Sequence, residues 1–310
     1  MFLSVDNAMN VPQLSIIIAS HNAGSVLTVC LAALEKQAGR ETVEIIVADS
    51  SSDGTADEVC ARFPDVRLMR FSQPLTIPQL RGAGIAAARG DLVAILDPYC
   101  IVDGRWLTEL IRLHAERPEV VIGGAVVLGD DGPLNLGAWA TYLGEYAAFM
   151  PPLAGGPAHE LTGNNLVYKR QALALNTEVE CTGFWKAFFN HQLQSQGYEL
   201  WSAPSLVVKL HKPIPWGQFF RSRYHHGRCF AAMRVADAPR SQRYLRLLTV
   251  PLLPYLALWR QLRSFWPKRR HRKQFVLALP LLFLFHLSWA WGELWGYMRG
   301  PGRSCEQLFY

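Results

Sequence analysis

Half of the 310 residues are hydrophobic and only 18% are charged, so the chain can bury ample apolar surface and disorder is excluded. The length suits one α/β domain of roughly 200 residues plus an appendage. The six cysteines (30, 60, 100, 181, 229 and 305) show no C-x-x-C spacing, which excludes a zinc ribbon or a thioredoxin-type motif, and the start MFLSVDNAMNVPQ lacks a signal peptide's basic and apolar regions, so the thiols are expected to stay reduced.

Leu14–Ala19 (LSIIIA) is a nearly continuous apolar run, the pattern of a strand buried on both faces. A polar turn, SHNAGS, leads into a helix expected over Val26–Gln37. Val43–Ala48 (VEIIVA) is a second strand, ending in Asp49 and the loop SSSDGT, whose Asp53 is placed to cap the following helix. A third strand is expected over Val66–Phe71, an Ala-rich helix over Gln79–Arg89, and a fourth strand, LVAIL, over Leu92–Leu96 before Asp97. Strand–helix alternation with short connections predicts a mostly parallel sheet flanked by helices. Ligands of such sheets bind at the carboxyl ends of strands. Here those ends carry Ser20, His21 and Asn22, then Asp49, then Asp97, and they frame one crevice. Neither G-x-G-x-x-G after the first strand nor a P-loop is present, which argues against a dinucleotide site of the usual kind. Residues 151–157 (PPLAGGP) are the clearest loop, read as a connector or a mobile lid.

The net charge of +6 conceals a division. Between Trp201 and Lys273 stand sixteen Lys and Arg but one acid, Asp237, while the remainder is mildly acidic. Such a stripe implies a polyanionic partner. Two apolar stretches, Leu247–Trp259 and the 23-residue Phe275–Tyr297, select anionic membrane lipid over nucleic acid, because the aromatics lie in apolar helices and not on a base-stacking sheet. The first stretch is short and holds Pro251 and Pro254, so it is expected to lie in the interface or re-enter, keeping the basic loop 263–273 on the same side as the crevice. The second spans once or folds back; Glu293 and His286 count against an unassisted span. A division at residue 215 follows, with the basic linker and membrane-associated helices over 216–310.

The segments LSIIIASHN, VEIIVADSSSDGT, RGAGIAAARGDLVAILD, TGNNLVYKR and GYELWSAPSLVVKLH, in that order from Leu14 to His211, resemble the family 2 glycosyltransferases, nucleotide-sugar enzymes of GT-A fold. The resemblance implies that Ser20, His21 and Asn22 cradle the nucleobase, that Asp49 accepts a hydrogen bond from it, and that Arg81 lies near the diphosphate. Asp97 matches the first carboxylate of the D-x-D metal motif, His211 a histidine that closes on metal or diphosphate, and Gly163, Asn164 and Asn165 the segment lining the sugar. The implied activity moves a sugar from a nucleotide-sugar donor to a lipid-linked or polysaccharide acceptor, with inversion, at the cytoplasmic face of the inner membrane. The departures are chemical. D-x-D reads Asp97-Pro98-Tyr99, so dependence on Mg²⁺ or Mn²⁺ is expected to be weak or atypical. The family's Glu-Asp base pair falls on Trp185-Lys186, leaving Glu180, with Glu178 and His191, as replacement bases, and Lys186 as a charge for the diphosphate. A catalytically silent, nucleotide-binding scaffold is the alternative. His225-His226 reads as surface.

Overall fold

The structure, a computed structural model, describes residues 11–129, 135–175, 183–211, 215–236 and 238–309. The apolar runs form β1 (Leu14–Ser20), β2 (Val43–Asp49), β3 (Arg67–Arg70) and β4 (Leu92–Leu96). Between them lie α1 (Gly24–Glu35), α2 (Thr55–Arg62) and α3 (Ile77–Ala87). Every residue of β1 and β4 is buried, which is why neither strand alternates polar with apolar. The four pair in parallel in the order β3-β2-β1-β4.

Past Asp97 the sheet becomes mixed, adding antiparallel pairs to the parallel, helix-flanked part that the sequence predicts. The chain continues through β5 (Cys100–Val102), α4 (Trp106–Glu116), β6 (Val121–Leu128), α5 (Leu136–Tyr146), β7 (Gly156–Ala158), β8 (Asn165–Lys169), α6 (Arg170–Leu173), α7 (Lys186–Ser195) and β9 (Leu200–Leu210). The full order is β3-β2-β1-β4-β8-β6-β9-β5, with β7 also on β9. β8 runs antiparallel to β4 and β6, and β5 and β7 run antiparallel to β9. β6 and β9 still pair in parallel, with α5 to α7 in the long crossover between them; β5 follows β4 and β8 follows β7 with no helix between, and neither pair is adjacent in the sheet. One apolar layer joins the sheet to α1, α4 and α5, the other to α3, α6 and α7.

The C-terminal part is helical: α8 (Trp216–Arg234), α9 (Arg240–Thr249), α10 (Leu253–Phe265) and α11 (Arg272–Arg299). By length and composition α11 is apolar enough to cross a membrane. In the fold it lies along α8 and α5. A Cβ at Gly227, Gly292 or Gly296 would strike the carbonyl oxygens of Trp289, Tyr224 or Arg228, so glycine is what lets the two backbones touch. Glu293, only 4% exposed, accepts from Trp289 Nε1 (2.7 Å), the Tyr297 hydroxyl (2.9 Å) and Arg234 Nη1 (3.2 Å), so its charge is met inside the protein. The basic loop between α10 and α11 rests on the sheet domain. Lys268 Nζ donates to the carbonyls of Ala148 (3.1 Å), Pro152 (2.9 Å) and Met150, and Gln261 Nε2 to that of Leu143 (2.5 Å). A two-span hairpin would carry this loop away and is incompatible with those bonds. Lys268 and the bond from Ser202 Oγ to Ala154 O (2.7 Å) also pin the 151–157 loop as a connector.

One expectation about the thiols fails: Cys229 and Cys305 form a disulfide between α8 and the C-terminal tail, while Cys30, Cys60 and Cys100 are free.

His114 on α4 is 5% exposed, and among the described residues neither of its ring nitrogens has a hydrogen-bond partner. Burial first, then Lys169, lowers its pKa from 6.5 to about 4. The unfolded chain therefore takes up this proton first, and stability falls as pH drops from 6.5 toward 4, by roughly 2 kcal/mol at pH 5. Urea denaturation at pH 7 and pH 5 should show that loss in the wild type and a smaller one in His114→Leu; an identical pH slope in both would mean that the ring is solvated in the native state.

Candidate functional site

A cavity of about 750 Å³ opens at the carboxyl ends of β1 and β4. Its wall holds His21 and Asn22 after β1, Arg81 from α3, Asp97 and Tyr99 after β4, Gly163 and Asn164 before β8, and His211 after β9. Its centre is Asp97. Arg81 Nη2 donates to one carboxylate oxygen at 2.5 Å and the Tyr99 hydroxyl to the other at 3.0 Å. The side chains of Arg81 and Asp97 are 14% and 9% exposed. Burial opposes the charge of Arg81, yet the adjoining Asp97 leaves its pKa raised. Burial, and then Asp97, pushes the Tyr99 phenol well above 10, so it is a hydrogen-bond donor and not an anionic ligand. Arg81 is aimed by the first turns of α3, where Thr76 and Gln79 form a capping box and Pro78 pre-sets the backbone. Gly163 lies beside its guanidinium, where a Cβ would stand at an ordinary contact distance of 3.8 Å from Nη1.

The ends of β1 and β2 are clasped together. His21 Nδ1 lies 3.1 Å from Ser50 O, so that nitrogen carries the proton. Asn22 adopts a positive φ of 50°, which asparagine tolerates, accepting from Ser52 N (2.9 Å) and donating its own N–H to Ser51 Oγ (2.6 Å). Asp49 stands behind this clasp: both oxygens accept from Ser51, from Oγ at 2.6 Å and N at 3.1 Å, and it is buried off the cavity wall. Ser20 is likewise fully buried behind the wall. Asn165 also points elsewhere. It accepts from Trp106 Nε1 (2.9 Å) and donates to Ala125 O and Leu206 O, pinning the irregularity between β6 and β9. Glu178 and Glu180 lie outside the described residues, and His191 is exposed on α7, off the wall. Asp53 is not the cap of α2: Gly54 holds that position, and Asp53 closes the turn before it by accepting from Thr55 N (3.1 Å) and Thr55 Oγ1 (2.5 Å).

The opposite wall comes from the basic C-terminal helices. Arg223 bridges to Glu145 of α5 (2.6 Å), with its guanidinium 4.3 Å over the Trp289 ring. His226, read from sequence as surface, stands on this wall nearly parallel to Trp289 (11°). Its Nδ1 lies 3.0 Å from the Ser222 carbonyl, so Nε2 bears the lone pair, and burial, then Arg223, lowers its pKa to about 4. The available signal was helical spacing: Phe219, Ser222, Arg223, His226 and Phe230 form one stripe of α8. On a third side, Lys186 of α7 donates to Leu161 O (2.7 Å) and stands 3.6 Å from Glu160.

The family described as "Glycosyl transferase family 2" matches residues 15–175, more than half of the chain and the part that builds this cavity's donor side. The chain belongs to glycosyl transferase family 2. Among curated members, this glycosyltransferase is 30% identical over 118 residues to polypeptide N-acetylgalactosaminyltransferase 10 of Mus musculus, covering 36% of this chain and 20% of that protein. It is 30% identical over 125 residues to the succinoglycan biosynthesis protein ExoO of Rhizobium meliloti, covering 39% and 36%. The match thus spans well under half the length of either relative. In structure it is similar to the Pyrobaculum calidifontis mannosyltransferase PcManGT in complex with GDP-Man and Mn²⁺, at TM-score 0.58 and 18% identity over 92% of this chain and 87% of that one. It is also similar to S. aureus TarS, at TM-score 0.51 and 12% identity over 91% and 55%. At these identities the structural likeness establishes the GT-A-like fold of this glycosyltransferase.

Asp97 and His211, the pair that the sequence matches to metal ligation, both reach the wall, as do His21, His226, Glu145 and Glu160, and among the described residues no group of three His, Cys, Asp or Glu gathers. Such a pair fits Mg²⁺ or Mn²⁺ only where diphosphate oxygens and water complete the shell.

Replacing Arg81 by Met leaves the Asp97 charge buried with one neutral donor. The expected cost is about 3–5 kcal/mol of stability in chemical denaturation. A loss under 1 kcal/mol would show that water already compensates Asp97.

Proposed function

We propose that this glycosyltransferase moves a hexosyl group from a nucleoside-diphosphate donor to a lipid-linked or polysaccharide acceptor at a membrane surface, with inversion. The observation that carries the reading is the Arg81–Asp97–Tyr99 cluster, with Lys186 on another side of the same cavity. A nucleoside diphosphate leaves with one more negative charge than it carried in the donor, and Arg81 of α3 and Lys186 of α7, each paired with an acid, border the cavity that would hold it. The printed descriptions of PcManGT, with GDP-Man, and of ExoO, a succinoglycan biosynthesis protein, support a nucleotide-sugar donor and polysaccharide chemistry.

His21 and Asn22 bind the base side, with Asp49 holding the loop through Ser51. Gly163 and Asn164 line the sugar. A divalent ion would be held by Asp97 and His211 and would supply Lewis-acid neutralisation of the diphosphate. With so few protein ligands, its affinity depends on the donor.

The base needs a carboxylate facing the acceptor. Among the described residues Asp97, Glu145 and Glu160 are the acids on the wall. Asp97 is engaged on the donor side. Glu145 is oriented by Arg223, while the Glu160 side chain is 67% exposed. Glu145 is assigned to accept the acceptor hydroxyl's proton as its oxygen attacks the anomeric carbon and the bond to the diphosphate breaks. Glu180 remains the competing assignment, from sequence.

The membrane assignment rests on the outer face of the C-terminal helices. Leu248 (77% exposed), Tyr244, Tyr255, Trp259, Leu277 and Trp291 face outward on α9–α11. Arg240, Arg243, Arg246, Arg260 and Arg263 accompany them on α9 and α10. Apolar surface framed by cations suits an anionic bilayer surface. The cytoplasmic side, where nucleotide sugars are made, is the assigned face. Disulfides are rare there; of the two sulfurs Cys229 is fully buried and Cys305 half-buried, so thiol exchange has access only from the Cys305 side.

The second reading, a silent scaffold, draws on Tyr99 and the Trp185-Lys186 pair. A donor-turnover assay decides between them. Glu145→Gln should lower kcat about 100-fold or more with donor affinity retained. Mn²⁺ should bind measurably only with nucleoside diphosphate present. No turnover by the wild type with any nucleotide sugar, despite tight binding, would favour the scaffold; full activity in Glu145→Gln with its loss in Glu180→Gln would move the base. Separately, Leu248→Glu with Trp259→Glu should abolish co-flotation with anionic phosphatidylglycerol vesicles. Undiminished flotation would assign the lipid contact elsewhere.

A further inference from the structure

The C-terminal tail reaches the base side of the cavity. Phe309 lines the cavity with its ring stacked on His21, centroids 4.7 Å apart and planes 26° from parallel. The approach to Phe309 is held at several points. Arg228 Nε donates to Gly300 O (3.1 Å), and Ser304, 3% exposed, lies 3.2 Å from His225 Nδ1. The Cys229–Cys305 disulfide fastens the tail to α8. Leu308 is 1% exposed and its carbonyl accepts from Ile77 N (2.8 Å), an amide at the start of α3 that no carbonyl within the helix reaches. Four anchors on two helices make this tail a fixed part of the fold.

We infer that the tail is a wall of the donor site: Phe309 and His21 together form the aromatic platform against which the donor's nucleobase packs. The inference rests on the nucleoside-diphosphate reading above and adds to it a residue from far outside the segment that matches the family. Three features carry it. Both rings face one cavity, and Asn22 and Ile77 stand beside them on its wall. An offset aromatic pair is rigid and presents further π surface, and every nucleobase has a π face to lay on it. The bond from His21 Nδ1 to Ser50 O fixes the imidazole from one side while Phe309 covers it from the other. A plug that had to leave before the donor entered would not be expected to carry a fully buried leucine and a covalent tether in its last six described residues.

The test is calorimetric titration of the full chain with UDP, GDP and base-free pyrophosphate. Phe309→Ala should weaken the tighter-binding nucleoside diphosphate about tenfold and leave pyrophosphate within about twofold, while Phe309→Trp, which keeps an aromatic face, should retain wild-type affinity. Unchanged affinity in Phe309→Ala would overturn the inference; tighter binding would do so as well and make the tail an obstruction. Equal loss for pyrophosphate would also overturn it, because the damage would then be general. If the wild type bound pyrophosphate but neither nucleoside diphosphate, the donor reading itself would fall. That result is distinct from wild-type binding that ignores Phe309.

Discussion

The strand-end side of the cavity is organised around one buried carboxylate. Asp97 ends a strand with no exposed residue, so its charge has to be met by protein groups. Arg81 and Tyr99 take one oxygen each. That demand ties three elements together. The capping box at Thr76 sets the start of α3 so that Arg81 points back at the strand end, Tyr99 turns inward two residues after Asp97, and the Gly163 backbone lies beside the guanidinium. A second acid at position 99 would place like charges side by side, whereas a neutral phenol lets a single cation balance the site.

The helical wall of the cavity depends on a different constraint, the close approach of α8 and α11. Glycines at 227, 292 and 296 let the helix backbones touch, and the Glu293–Arg234–Tyr297–Trp289 network fills the seam. The result is that an apolar helix of membrane-like composition becomes structural support for a cavity wall. Its inner face supplies Trp289 to the site and its outer face keeps Leu277, Leu287 and Trp291 exposed. One helix thus connects the surface where a lipid-linked acceptor would lie to the cavity where its hydroxyl would react.

The donor half was legible in the sequence because strand ends are legible: continuous apolar runs mark buried parallel strands, and the polar residues just after them must face the crevice. His21, Asn22, Arg81, Asp97, Gly163, Asn164 and His211 all reach the wall. Asp49 and Asn165 sit at such ends too, but which way a side chain turns there depends on partners distant in sequence, Ser51 and Ser52 with Asn22 in one case, Trp106 and the β6–β9 irregularity in the other. The wall formed by α8 was hidden by composition: a helix so rich in Arg and His reads as a solvated face until the stripe at 219, 222, 223, 226 and 230 is set against α5 and α11. The antiparallel half of the sheet, and the union of Cys229 with Cys305 across 76 residues, carry no local pattern at all.

The cavity's charges limit what its fixed cations could give to an incoming anion. Each acid on the wall already has a basic partner: Asp97 has Arg81, Glu145 has Arg223, and Glu160 has Lys186 at the longer distance of 3.6 Å. Paired in this way, the acids leave the three cations little net charge to offer a diphosphate. An incoming polyanion must share cations with the carboxylates or bring positive charge with it. Arg81 is the least able to leave, being buried against Asp97, while the Glu160–Lys186 pair is long and its acid is solvated, so Lys186 is the cation most readily turned toward phosphate. A divalent ion entering with the donor between Asp97 and His211 would supply the remaining charge without a full protein shell. Loss of the second D-x-D carboxylate is then consistent with a site whose cation arrives with its substrate and is held chiefly by it.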